Sequence, residues 1–191
     1  MKRVFSFFLL IVIAYVSSAF VRTYIIQTYY IPTVSMAPAL NVNDRVLVLK
    51  KLFFSNNIDY GDIIVFYPVD SEPPSNLNIL KDSLNVNMII NIETNDPVYI
   101  KRVIGKEYDL IRISKNGSLY INDIKQDYQY VNTGNFDSKE WSIPPGEYFV
   151  LGDNLLNSID SRTYGTIDEN NIVGRAWLKI YPFNEFRLLN D

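Results

Sequence analysis

The sequence predicts an all-β protein, mainly an antiparallel β-barrel or sandwich with an inserted β-hairpin subdomain, preceded by one N-terminal transmembrane helix. Three observations carry that prediction. Beyond Arg22 no apolar repeat sustains the 3.6-residue period of a helix. Short runs rich in Val, Ile, Tyr and Phe alternate instead with turn residues. At 191 residues, with 48% hydrophobic and 14% aromatic content, the chain has enough apolar matter for a real core.

The first element is the apolar run. Lys2 and Arg3 precede the uncharged VFSFFLLIVIAYVSSAFV (4–21), which as a helix rising about 1.5 Å per residue would be about 27 Å long, close to the hydrocarbon thickness of a bilayer. Two basic residues before it and Arg22 after it place residues 1–3 in the cytoplasm and everything from residue 22 outside. Tyr24, Tyr29 and Tyr30 suit an aromatic belt at the outer interface. A cleavable signal peptide fits the same residues, with Ser17-Ser18-Ala19 as its small-x-small cleavage pattern. Both readings export the rest of the chain.

The strands follow in order. RVLVLK (45–50), DIIVFY (62–67), VYIKRVI (98–104), DLIRIS (109–114) and SLYIN (118–122) are each bounded by turn residues. Asn116-Gly117 between the last two tolerates positive φ at both positions and favours a tight hairpin. Pro144-Pro145-Gly146 marks the turn into EYFVLG (147–152), and RAWLKIY (175–181) closes the series. Residues 68–97 are rich in Asn, Asp, Ser and Pro and read as a surface loop or hairpin insertion, with NMIINIE (87–93) as a candidate extra strand. The expected organisation is a cytoplasmic end (1–3), an anchor (4–21), a core (22–105 and 147–191) and an inserted β subdomain (106–146).

Composition narrows the chemistry. The chain has no histidine and no cysteine, which removes disulfides, thiol nucleophiles, His- or Cys-based metal sites and any Ser-His-Asp triad. A formal charge of −3 argues against a nucleic-acid surface. Neither a cofactor nor a metal is expected, and the GDNLLNSIDS spacing fits no calcium loop.

A serine nucleophile here would need another base. Lysine serves only if burial keeps it neutral, and lowering its pKa from about 10.4 to about 8 costs roughly 3 kcal/mol. Lys101 is best placed, since on a period-two strand it shares a face with Tyr99 and Val103. Lys50, Lys51 and Lys125 adjoin charges or polar turns and read as solvated. Ser35, in TVSMAP, is the candidate nucleophile. The residues alone leave a second reading open, in which Ser35 is a turn serine and Lys101 a snorkelling strand lysine.

IPTVSMAPAL, GDIIVF, YIKRVIG and GDNLLNSIDSRTYG stand in the order and approximate separation of the sequence boxes of bacterial type I signal peptidases, and GRAWLKIYPFNEF resembles that family's C-terminal strand. Residues 68–97 and 126–141 lie outside the likeness. The resemblance implies a membrane-anchored serine endopeptidase that cuts signal peptides from exported preproteins after Ala-x-Ala-like sites. By that match Ser35 is the nucleophile and Lys101 the general base. Thr33 adds its hydroxyl to the Ser35 N–H in the oxyanion hole, and Ser158 orients the lysine. Asp160 and Arg162 form an ion pair that holds the wall of the site, and Asp153 shapes the same loop. Ile31, Pro32, Met36, Leu40, Tyr99 and Ile100 build the substrate groove. The implied partners are signal peptides and the lipid bilayer, with no nucleic acid and no metal.

The chain departs from the family pattern at Leu155 and Leu156, where polar residues are usual, at Ala39, where threonine is common, and in the GKEYD turn (105–109). Those departures bear on substrate range and on the loop over the site.

Overall fold

In the computed structural model, which describes residues 2–51, 58–84, 98–127 and 138–189, the opening apolar run forms α1 (Lys2–Tyr24). Bulky apolar side chains surround it, most of them exposed. Its Arg3–Tyr24 portion is long and apolar enough to cross a membrane. The chain then enters β1 (Ile26–Tyr30), which pairs antiparallel with β2 (Arg45–Lys50), Ile26 opposite Leu49 and Tyr30 opposite Arg45. In β2 the residues alternate strictly, and Val46, Val48 and Lys50 point inward.

Tyr29 corrects the interfacial belt. It is buried in the core with Ile31, Met36 and Leu40, because β1 turns that side of the tyrosine run toward the sheet's interior.

The main sheet continues with β3 (Ile63–Phe66), β4 (Tyr99–Gly105), β9 (Glu147–Leu151), β10 (Ile167–Asp168), β11 (Ile172–Tyr181) and β12 (Arg187–Leu188). Among the described residues its order is β1-β2-β11-β3-β4-β9-β10, with β12 on β11, and every pairing is antiparallel. Register shifts in β11 near Ala176 and Lys179 bend the sheet. Strand β3 is apolar on both faces and buried throughout. Ile63 and Val65 pack with Met36, Leu40 and Val48, while Ile64 and Phe66 pack with Val103, Val150 and Ile172.

Between β4 and β9 in the chain lies a second sheet, β7-β6-β5-β8, formed by β5 (Leu110–Ile113), β6 (Leu119–Ile121), β7 (Ile124–Lys125) and β8 (Lys139–Ser142). Its core joins Ile111, Ile113 and Leu119 to Ile104, Phe149, Leu151 and Leu155 of the main body. The β5–β6 connection differs from the expected two-residue turn. Only Gly117 takes positive φ (78°), and its N–H donates to the Ser114 carbonyl at 2.8 Å.

The polar insertion is not loop throughout. Asn76–Ser83 forms a helix, α2, against α1. Eight residues with few apolar members give too weak a repeat to read as helix, and packing on α1 supplies what the sequence lacks. NMIINIE (87–93) lies outside the described residues.

Candidate active site

Three segments meet at the proposed nucleophile. The first is the turn after β1, where Thr33 is extended and Val34–Met36 make one 3-10 turn. Met36 and Leu40, both fully buried, anchor that turn, and the Leu40 N–H donates to the Met36 carbonyl at 2.8 Å. Ser35 itself is 6% exposed.

The second is β4, whose pairing with β3 sets Lys101 opposite Ile64. Lys101 is 5% exposed, and its Nζ lies 2.8 Å from Ser35 Oγ. The Thr33 hydroxyl sits 3.3 Å from the same oxygen.

The third is the loop after β9. The Asn154 N–H donates to the Ser35 carbonyl at 3.0 Å, and the Asn154 side-chain amide to the Val34 carbonyl at 3.3 Å. Gly152 permits this approach, since a Cβ there would lie 2.5 Å from the Ser35 carbonyl oxygen and 2.2 Å from Ser158 Oγ.

Electrostatics set the state of the amine. Burial lowers Lys101 from its ordinary 10.5 to about 8, while the charges of Asp160 and Asp153 pull the other way. At pH 7 that leaves roughly one lysine in ten neutral, against a few in ten thousand at the ordinary value.

Both carboxylates are already claimed. Arg102 binds Asp153 through two bonds of 2.8 and 2.7 Å and donates to the Gly61 carbonyl at 2.7 Å. Arg162 binds Asp160 at 2.8 and 2.9 Å and reaches the Leu155 and Ser158 carbonyls. Burial also raises the Asp153 carboxyl, with the Arg102 bonds and the charge of Lys101 pulling it back. Asp160 is fully buried and accepts the Gly152 N–H at 3.0 Å.

Burial alone does not single out Lys101. Lys179 is fully buried but held between Asp44 at 2.6 Å and Glu185 at 2.5 Å, a cation with two counter-charges. Lys50, expected in solvent, is 7% exposed on the inward side of β2, its amine 3.4 Å from the Tyr29 hydroxyl. What distinguishes Lys101 is a buried serine hydroxyl at 2.8 Å together with neighbouring carboxylates that belong to arginines.

Two expectations change with the geometry. Ser158 makes no hydrogen bond to Lys101. Among the described residues its Oγ has no partner, enclosed against Gly152, because the lysine amine is directed at Ser35. In the groove, Ile31, Met36 and Leu40 are 0–1% exposed members of the core and form a floor rather than an open wall. Pro32 and Tyr99 are exposed and Ile100 is half-buried, so these three face the surface. A cavity of about 290 Å3 opens on the other side of the loop, between Ile113, Lys139 and Trp141 of the second sheet and Leu155, Ser158 and Arg162. Leu155 is 4% exposed in the core shared with that sheet, so an apolar residue at this position ties the loop to the insertion.

Arg102 was legible only as a non-base. Its tie to Asp153 spans 51 positions and exists only through the pairing of β4 with β9. Asn154 gave no signal beyond its place in the GDN segment.

The chain is similar to several known proteins. A probable signal peptidase I-2 from Synechocystis sp. is 30% identical over 172 residues, 90% of this chain and 70% of that protein. Signal peptidase I of Leptolyngbya laminosa is 34% identical over 167 residues, 86% and 73% of the two chains. Signal peptidase IB of Staphylococcus aureus is 32% identical over 205 aligned residues, 97% and 94%. A crystal structure of a signal peptidase I from Enterococcus faecalis aligns with a TM-score of 0.45 at 22% identity, over 63% of this chain and 97% of that one. The sequence profile described as signal peptidase, peptidase S26, matches residues 4–181. The chain belongs to the signal peptidase family, peptidase S26.

Proposed function

We propose that this protein is a membrane-anchored serine endopeptidase that releases exported preproteins from their signal peptides after Ala-x-Ala-like sites, using Ser35 as nucleophile and neutral Lys101 as general base. The observation that carries the reading is the 2.8 Å contact between a buried lysine amine and a buried serine hydroxyl, in a chain without histidine or cysteine.

Neutral Lys101 takes the Ser35 proton as Oγ attacks the scissile carbonyl. The oxyanion is held by the Ser35 N–H and the Thr33 hydroxyl, and losing one such donor typically costs about 100- to 1000-fold in rate. The lysine ammonium then protonates the departing amine, leaving an acyl-enzyme ester at Ser35. Water gives its proton to Lys101 and attacks that ester, which frees the new carboxyl end and restores the serine. Arg102 and Arg162 hold the wall by occupying Asp153 and Asp160.

Shallow apolar recesses over the floor of Ile31, Met36 and Leu40 admit a methyl group and exclude larger side chains, and a buried charge there would lack a partner. An extended substrate pairs its backbone with β4 and the segment before Ser35. In this reading α1 crosses the bilayer with its N-terminus cytoplasmic and the β domain outside.

The test is incubation of the purified protein and its Ser35→Ala variant with a preprotein, reading the cut site by mass. Wild type should cut after a small-x-small site and Ser35→Ala should not. Equal cleavage by both would remove Ser35 from the chemistry.

A further inference from the structure

α1 is apolar over most of its surface, and one line of it is covered. Tyr15, Ala19 and Thr23 are spaced four apart on one face, and that face is where α2 lies. Ala19 is 3% and Thr23 6% exposed, within a helix otherwise open over nearly all its apolar surface. A small residue allows close backbone approach, the means by which helices pair in lipid.

The polar groups brought together are matched. Thr23 Oγ1 donates to the Ala19 carbonyl at 2.9 Å and lies 2.8 Å from the Ser83 hydroxyl. The Tyr15 hydroxyl donates to the Leu84 carbonyl, just past the end of α2, where terminal carbonyls lack helical partners. Pairing polar groups across two helices in this way suits an apolar medium.

Depth follows from position. Tyr15 lies nine residues before Tyr24, about 13 Å along the axis, and the hydrocarbon layer is about 30 Å thick. With Tyr24 at the outer edge of that layer, the Tyr15–Thr23 face lies in its outer half. On the side of α2 away from the Ser83 contact, Leu77 (60% exposed) and Leu84 (38% exposed) flank Lys81, with Asn78 exposed beside them. Lys81, also exposed, has a stem long enough to return its charge to water.

We propose that α2 is a second membrane contact, with Leu77 and Leu84 entering the acyl chains beside α1. The proposal rests on α1 spanning the bilayer. It gives the insertion between β3 and β4 a task, because β4 carries Lys101 while α1 leads through β1 to Ser35. One tether leaves the domain free to swing, whereas two fix its height and rotation over the membrane.

The absence of native cysteine makes single-site spin labelling direct. Full-length protein carrying Leu77→Cys, Leu10→Cys or Ile124→Cys is labelled with a nitroxide in phosphatidylcholine–phosphatidylglycerol vesicles. Relaxation by oxygen, which concentrates in lipid, is compared with relaxation by a water-soluble nickel chelate. The Leu77 label should show an oxygen-to-nickel ratio near that of Leu10 and several-fold above that of Ile124. Adding Ala19→Leu, which crowds the pairing face, should lower the Leu77 ratio and leave Leu10 unchanged.

A Leu77 ratio equal to that of Ile124, with Leu10 still in lipid, overturns the proposal and leaves the anchor standing. A watery Leu10 removes the anchor, and the proposal with it. Shielding of Leu77 only after a signal-peptide substrate is added would assign the surface to substrate and overturn the lipid contact.

Discussion

Lys101 is where sequence and structure meet most directly. Its pKa near 8 carries a stability consequence of definite sign. The unfolded lysine holds its proton up to about 10.5 and the folded one loses it near 8, so the unfolded state binds more protons in between and stability rises with pH across that window. Below pH 8 the full cost applies, about 3 kcal/mol at 1.36 per unit. Lys101→Met should therefore abolish preprotein cleavage while raising the midpoint of thermal unfolding at pH 7, and the gap to wild type should close between pH 8 and 10.5. A destabilised, inactive variant would mean that the amine is a structural cation. Wild-type kcat/KM should climb along an alkaline limb centred near 8. Arg102→Met frees Asp153 to act on the lysine and should move that limb upward, with about 3–5 kcal/mol lost from stability. A limb unmoved in pH–rate profiles would show that Asp153 does not feel the dyad. Ser35 and Lys101 stood as candidates because a chain without imidazole or thiol has few bases to offer, and the resemblance to type I signal peptidases gave them their expected roles. The two arginine–carboxylate ties were legible in part, since Arg162 lies two residues from Asp160 whereas Arg102 finds Asp153 only through tertiary pairing.

Among elements, the strands read most clearly were those whose side chains alternate or are apolar on both faces, β2 and β3 above all. Short or polar strands such as β7, β8 and β12 depend on their neighbours for pairing and left no pattern. β1, IQTYY, was read as an interfacial belt because tyrosine suits both a strand and a membrane edge. Two glycines show how element contacts separate activity from stability. At Gly152 an added methyl meets the Ser35 carbonyl, so Gly152→Ala should lower kcat/KM about 100-fold or more through displacement of the nucleophile, with the far-ultraviolet circular dichroism unchanged. At Gly174 the methyl meets the Leu49 carbonyl oxygen at 2.2 Å, between β11 and β2 and away from the dyad. Gly174→Ala should cost about 1–3 kcal/mol in urea unfolding, with the folded fraction keeping wild-type turnover.

For the molecule as a whole, the governing fact is the place of β11 in the sheet. It lies between β2, which shares a hairpin with β1 and the Ser35 turn, and β3, which aligns the lysine strand. Amides of Val48 and Ala176 should exchange with solvent only on global unfolding, and those of β7 and β12 far sooner, which exchange followed by mass spectrometry can check. Because this middle strand is contributed by residues 172–181, the Ser35 turn and the Lys101 strand are registered against each other only once those residues are in place. On the proposed reading, a copy still being exported resembles a zymogen that needs no propeptide. Such a copy should be silent toward its neighbours, and toward its own Ser17–Ala19 segment, until β11 has joined the sheet.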